Sequence, residues 1–282
     1  MEIAGRIGGE ILCVDSMTVY RGLDIGTAKP TPQERLRVPH HLLDIVEPDA
    51  EFSVARFVEM ADAVIADARR RGVPLIATGG TPLYYKALFQ GLFDGPAADL
   101  ELRSRLLATG NEAMHARLAE VDPAAAARIH VNDTKRLARA LEVHELTGQS
   151  ISSLQQEWTS GRLRHAATFV GLNWDKDELN KRINARVKLM MESGWLAEVQ
   201  GLMKQFPQLS RTAAGATGYA ELIRHLREGA PLEEGLEQIK ISTRQLARKQ
   251  MKWFRRFENV RWLNGDRATG ALADDVKVLP MS

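Results

Sequence analysis

Two short apolar runs, Ile11-Leu12-Cys13-Val14 and Pro74 to Thr78 in "RRRGVPLIATGGT", stop abruptly at polar or glycine residues, and a strong helix pattern lies between them. Runs of this length, bounded in this way, fit strands buried on both faces. In the intervening "SVARFVEMADAVIADARRRG", Val54, Phe57, Ala61, Val64, Ile65 and Ala68 recur at helical spacing, with Ser53 placed to cap the start and Gly72 the end. Strand, helix and strand in that order predict a right-handed crossover and a parallel sheet. Ligands bind such sheets at the carboxyl ends of the strands. Asp15 and Ser16 stand directly after Val14, so a carboxylate occupies such an end.

A third apolar run, "ATFVGLNW", follows only after a long stretch of helix patterns: "LELRSRLLATG", "NEAMHARLAEV", "PAAAARIH" and "DTKRLARALEVHELTG". This organisation predicts an α/β core in two parts, residues 1–95 and 159–282, interrupted by a helical insertion at 96–158. Beyond the third strand, "KDELNKRINARVKLMMESGWLAEVQGLMKQF" reads as one long helix broken at Gly194, and two further helices end in the basic stretch "TRQLARKQMKWFRRF". With 44% hydrophobic and 26% charged residues the 282-residue chain fits a globular protein. No segment approaches the roughly 18 apolar residues of a membrane span, and no signal peptide is visible at the start. A single cysteine, Cys13, excludes an internal disulfide and suits the cytoplasm; its place inside an apolar run favours packing over chemistry. The formal charge of +2 leaves nucleic-acid binding to local patches.

Such patches exist, each with two readings. "TGGTPLYY" follows a strand and opens a helix, so it is either a tight turn or a place where glycine amides and Thr81 meet an anion. Lys135, Arg136 and Arg139 in "KRLAR" form either a solvated helix face or a phosphate-binding edge. In the last helix, Arg244, Arg248, Lys249, Lys252, Arg255 and Arg256 alternate with Trp253, Phe254 and Phe257; the aromatics either stack on bases or face the core. His40 and His41 are adjacent on an extended segment and point opposite ways, which disfavours a shared metal, and no zinc pattern occurs.

Five stretches taken together, "GGEILCVDSMTVYRGLDIGTAKP", "PHHLLDIVEP", "GGTPLYYKALFQGL", "DPAAAARIHVNDTKRLARALEVHELTG" and "TRQLARKQMKWFRR", resemble the bacterial tRNA dimethylallyltransferase family in content and order. The resemblance implies a P-loop-kinase-like parallel-sheet core with an inserted helical subdomain and a helical C-terminal region. It implies transfer of the dimethylallyl group of dimethylallyl diphosphate to the exocyclic amine of the adenosine 3′ of the anticodon in tRNA, by a monomer in the cytoplasm with no membrane attachment. By the same resemblance Asp15 is the general base. Ser16, Met17 and Thr18 complete the adenosine-reading loop, Thr81 lies near the amine and the diphosphate, and Arg186 holds the diphosphate. Arg103 and the segment Lys135, Arg136, Leu137, Ala138 and Arg139 contact the anticodon stem-loop. Mg²⁺ is implied as a cofactor, with no metal ligand identified in this sequence.

The sequence departs from the family pattern in four places. Thr18 stands where glutamine is common, Ala220 where lysine is usual and Leu246 where tyrosine is usual. The family opens with a strand and a G-P-T-A-S-G-K-T loop whose amides, lysine and threonine hold the diphosphate and Mg²⁺. "MEIAGRIGGEIL" matches only the end of the helix after that loop, so about 20 residues of the motif are absent. Prenyl transfer by the chain as written is therefore expected to be crippled, and the competing reading is a non-catalytic tRNA-binding protein that has lost the phosphate loop.

Overall fold

The structure is a computed structural model that describes residues 1–91, 95–156 and 163–265. The chain divides into two compact units, one formed by 1–88 with 165–282 and the other by 89–164. The insertion was expected at 96–158, inside the second of these units. A backbone hydrogen bond from the Arg164 N–H to the Phe89 carbonyl (2.8 Å) pairs the two chain passages at the ends of that unit. The expected boundary at Trp158 lies outside the described residues.

The first unit begins with α1 (Glu2–Ile7), β1 (Glu10–Cys13), α2 (Pro32–Arg37), β2 (His40–His41), α3 (Val54–Arg71), β3 (Leu75–Thr78) and α4 (Pro82–Gln90). β1 is the middle strand of a three-stranded parallel sheet, pairing Ile11 with His40 on one side and Glu10 to Cys13 with Leu75 to Thr78 on the other. Ile11, Leu12, Cys13 and Val14 are all buried, as a strand covered on both faces requires, with Ile11 and Cys13 packed against Ala4 and Val38. Helix α3 forms where its periodicity places it. Ser53 Oγ accepts from the Arg56 N–H (3.2 Å), Gly72 ends the helix at φ +66°, and Phe57, Ala61 and Ala68 face the core.

The second unit is built from α5 (Leu100–Ala108), α6 (Asn111–Val121), α7 (Pro123–Ala126), α8 (Thr134–Thr147) and α9 (Ile151–Gln156). Leu102, Leu106, Met114, Leu118, Leu137 and Leu141 form its core. Asp122 both caps α7, accepting from the Ala125 N–H (2.9 Å), and accepts from the Ser152 N–H at α9 (2.9 Å). Those two bonds satisfy a carboxylate that is almost fully buried.

The chain then returns to the first unit as β4 (Phe169–Asn173), α10 (Lys176–Glu192), α11 (Trp195–Gln205), α12 (Arg211–Ala214), α13 (Tyr219–Glu228), α14 (Leu232–Phe254) and β5 (Val260–Asn264). The expected break falls at Gly194, whose φ of +95° no side-chain-bearing residue adopts readily. β4 and β5 pair in parallel over five residues each. β5 and the two-residue β2 were not foreseen. Among the described residues no helix is long and apolar enough to cross a membrane.

Candidate active site

The end of β1 and the turn after β3 meet at Asp15. Val14 closes the ladder by donating its N–H to the Thr78 carbonyl (2.8 Å), after which the two chains diverge as Asp15-Ser16 and Gly79-Gly80-Thr81. Gly79 passes so close to β1 that a Cβ there would lie 2.2 Å from the Val14 carbonyl oxygen, so only glycine fits. The turn then wraps the carboxylate. Asp15 Oδ2 accepts from the Gly80 N–H (3.2 Å), while Oδ1 accepts from the N–H groups of Met17 (2.8 Å) and Thr18 (3.3 Å). Thr81 Oγ1 accepts from the Ser16 N–H (3.0 Å) and donates to Ser16 Oγ (3.2 Å). Asp15, Ser16, Met17, Thr18 and Thr81 therefore form one hydrogen-bonded cluster.

The walls of this cluster come from two further elements. Tyr85 on α4 donates its hydroxyl to the Ala77 carbonyl (3.2 Å) and packs edge-on against Phe254 of α14, with ring centroids 5.5 Å apart. Burial first, then the charge of Asp15, pushes the Tyr85 hydroxyl's pKa upward, so it stays protonated. The same two causes push the Cys13 thiol up to about 12, which removes it as a nucleophile. One turn before Phe254, Gln250 donates its side-chain amide to the Gly80 carbonyl (2.7 Å). Phe254 also packs on Phe257, and Phe257 on Phe169 of β4, all three rings being half-buried.

The loop that follows Asp15 is held from behind. Lys29 is 1% exposed at its side chain and donates to the Tyr20 carbonyl, Asp24 (2.7 Å) and Asp44 (2.5 Å), while Arg35 binds the other oxygen of Asp44 (2.5 Å). Burial works against the charge of Asp44, and the bonds from Lys29 and Arg35 outweigh it, holding that carboxyl below the ordinary range. Glu198 of α11 accepts from the Asp24 and Ile25 N–H groups (3.1 and 2.7 Å) and from the Tyr219 hydroxyl (2.6 Å). Neither Lys29 nor Glu198 nor Gln250 was singled out from sequence. A lone lysine, glutamate or glutamine in the sequence gives no hint of the partners that the fold brings to it.

The remaining expected residues divide by exposure. Arg186 projects from α10 into solvent and has no hydrogen-bond or ion-pair partner among the described residues. In the second unit Lys135 and Arg136 are exposed on α8, the latter 3.4 Å from Asp133. Leu137 and Ala138, expected with them at the RNA, are instead buried in the unit's core, because a helix turns 100° per residue and cannot present five successive side chains to one surface. Arg103 (2.9 Å) and Arg139 (2.5 Å) both bind the fully buried Glu142, which also accepts from the Asp99 N–H (2.8 Å). Burial would raise the Glu142 pKa, yet the two guanidiniums hold it below the ordinary range. The trio carries a net positive charge, with both arginines part-exposed.

Thr18 Oγ1 is enclosed and has no hydrogen-bond partner among the described residues. The divalent metal that the family implies finds little here. No group of three or more His, Cys, Asp or Glu side chains among the described residues is placed to hold an ion. His40 and His41 bond separately, to the Val38 carbonyl and to Glu10. The described residues do not by themselves make a Mg²⁺ site.

A family model described as IPP transferase matches residues 18–257. The chain belongs to the IPP transferase family. Among its relatives, the tRNA dimethylallyltransferase of Geobacter metallireducens is 45% identical over 267 residues, covering 93% of this chain and 86% of that protein. The tRNA dimethylallyltransferase of Symbiobacterium thermophilum is 46% identical over 269 residues, covering 94% and 84%. Solved structures agree. A tRNA isopentenylpyrophosphate transferase from Bacillus halodurans is 36% identical with a TM-score of 0.71, covering 98% of this chain and 88% of the other. A eukaryotic dimethylallyltransferase acting on tRNA is 27% identical with a TM-score of 0.84, covering 99% and 76%. The IPP transferase core is the P-loop-like α/β fold in which parallel strands and helices surround the Asp15 cluster.

Proposed function

We propose that this IPP transferase moves the dimethylallyl group of dimethylallyl diphosphate onto the exocyclic amine of the adenosine 3′ of the anticodon in tRNA, with Asp15 as general base. The observation that carries the assignment is the three-donor cradle around Asp15 at the carboxyl end of β1. A carboxylate offers about four lone-pair sites, so three N–H donors fix its orientation and leave one site for the incoming amine. The amine lone pair attacks the allylic carbon, the C–O bond to diphosphate breaks, and the amine proton passes to Asp15. Because the lone pair is delocalised into the purine, removing that proton in the transition state is worth roughly 10²- to 10⁴-fold.

Arg186, unpaired on α10, supplies positive charge for the departing diphosphate. Thr81, fixed by Ser16, holds the turn that faces the reacting groups. Mg²⁺ would accompany the diphosphate, and no step here depends on it. On the second unit, Lys135 and Arg136 with the outer faces of Arg103 and Arg139 supply the phosphate contacts to the anticodon stem-loop. Burial confines Leu137 and Ala138 to supporting that edge. A monomer working in the cytoplasm, where its tRNA substrate is found, fits these features.

The test is single-turnover transfer of labelled dimethylallyl diphosphate to a cognate tRNA. Wild type and Asp15→Ala would be compared, each as the 282 residues and with the family's strand and phosphate loop added ahead of them. Asp15→Ala is expected to lose at least about 100-fold in rate while stem-loop affinity stays within a few-fold. Near-normal turnover in the variant would remove Asp15 as the base. Stem-loop binding without any transfer by the loop-extended wild type would instead favour a non-catalytic RNA-binding protein.

A further inference from the structure

We infer that Gln250 is a positioning residue for the general base, acting from the C-terminal helix through the Gly80 carbonyl; this rests on the assignment of Asp15 above. The Gly80-Thr81 peptide is gripped on both sides. Its carbonyl accepts from Gln250 Nε2 (2.7 Å), and its N–H points to the Val14 carbonyl (3.4 Å). The residues it joins are the two that meet the catalytic segment, since the Gly80 N–H donates to Asp15 Oδ2 and Thr81 Oγ1 binds Ser16. A shift of the Gly80 carbonyl is passed through the Cα atoms of Gly80 and Thr81, which carry the two contacts.

The packing around Gly80 is close. A Cβ on Gly80 would lie 2.5 Å from Gln250 Nε2 and 3.2 Å from Asp15 Oδ2, so the absent side chain is what lets the amide and the carboxylate flank the same residue. Gln250 itself is half-buried, and Phe254, four residues later on the same face of α14, anchors the helix against Tyr85. The surrounding cations Arg248, Lys249 and Lys252 are exposed, which separates Gln250 from the solvated basic face. A glutamine suits the place because it donates without carrying charge. A lysine there would set a cation beside Asp15, and a glutamate would turn a carboxylate toward the Gly80 carbonyl.

The consequence is a mispositioned base when Gln250 is lost. A displacement of about 1 Å at a reacting group costs on the order of 10² in rate. Gln250→Ala and the isosteric Gln250→Glu are both expected to lower kcat by roughly that factor, with stem-loop affinity and thermal stability close to wild type. Gly80→Ala displaces the same amide, so adding Gln250→Ala to it should cost little more than either change alone.

The deciding measurement does not need turnover. Amide hydrogen exchange at Gly80 and Thr81, read by NMR on the whole chain, should speed at least tenfold in Gln250→Ala while α3 and β1 keep their protection. Unchanged protection at Gly80 would overturn the inference. So would a loss of stem-loop affinity with unchanged kcat, which would make Gln250 an RNA contact. Because exchange reads the Gly80 N–H bond to Asp15 without turnover, failure here is distinguishable from a failure of the Asp15 assignment, which shows as normal transfer by Asp15→Ala.

Discussion

Gly79 and Gly80 are neighbours in one turn and glycines for different reasons. Gly79 faces the backbone of Val14 at 2.2 Å from a would-be Cβ, a contact that neither strand can yield, because β1 is held by ladders on both sides. Gly80 faces side chains, which have room to move. Gly79→Ala is accordingly expected to force β1 and the turn apart, costing about 1–3 kcal/mol and taking the Gly80–Asp15 bond with it. Urea unfolding together with single-turnover transfer would check this, and a variant with unchanged midpoint and rate would contradict the packing. The sequence stretch "TGGT" announced a turn and suggested an anion at its amides. The structure gives one of those amides, that of Gly80, to an anion of the chain itself, the Asp15 carboxylate. Nothing in a pair of glycines distinguishes a close backbone approach from a donor, because the distinction lies in what the distant β1 places opposite them.

At the scale of elements, α8 separates two roles that "KRLAR" runs together. Lys135 and Arg136 lie on its exposed face, whereas Leu137 and Ala138 line the core and Arg139 turns partly inward to Glu142. Neutralising Lys135 and Arg136 should therefore flatten the dependence of log affinity on log salt by roughly 0.7–0.9 per lost phosphate contact, without loss of stability. Arg139→Ala leaves the buried Glu142 with one guanidinium fewer and should destabilise the insertion by up to about 3 kcal/mol. Stem-loop titrations across a salt series, paired with denaturant curves, separate the two; an unchanged salt slope for Lys135 and Arg136 would return them to a solvated face. The elements themselves were largely legible. The buried run of β1, the caps of α3 and the Gly194 break between α10 and α11 each carry a local signature. β2, two residues long, and β5, Val260 to Asn264, owe their form to pairing with distant strands. The Asp15 loop was legible through the family resemblance. Its supports, Lys29, Glu198 and Gln250, were not, because a lysine, a glutamate or a glutamine shows its burial only when the chain is folded around it.

The whole molecule presents an uneven sheet. β1 is enclosed, but β3 and β4 are edge strands in two separate sheets: Leu75, Ile76 and Ala77 are only half-buried, and Val170 and Leu172 of β4, with Trp262 of β5, are exposed. Parallel strands are ordinarily covered on both faces, and an unpaired edge presents free N–H and C=O groups to a further strand. The 282 residues contain no G-P-T-A-S-G-K-T stretch, the motif in which a strand delivers amides, a lysine and a threonine to a diphosphate. Adding the family's strand and loop ahead of Met1 is expected to raise both quantities that the edges and the leaving group control. Thermal stability should rise as the added strand pairs with an open edge. Transfer should rise by more than about 10⁴, because a single preorganised donor at a developing anion is worth roughly 10²–10³ and the loop brings several. Stem-loop affinity should change far less, since Lys135 and Arg136 belong to the other compact unit. The comparison is melting temperature, stem-loop affinity and single-turnover rate for the two forms side by side. Equal rates would mean that Arg186 and the Thr81 turn suffice for the diphosphate, and an unchanged melting temperature would mean that β3 and β4 do not take up a further strand.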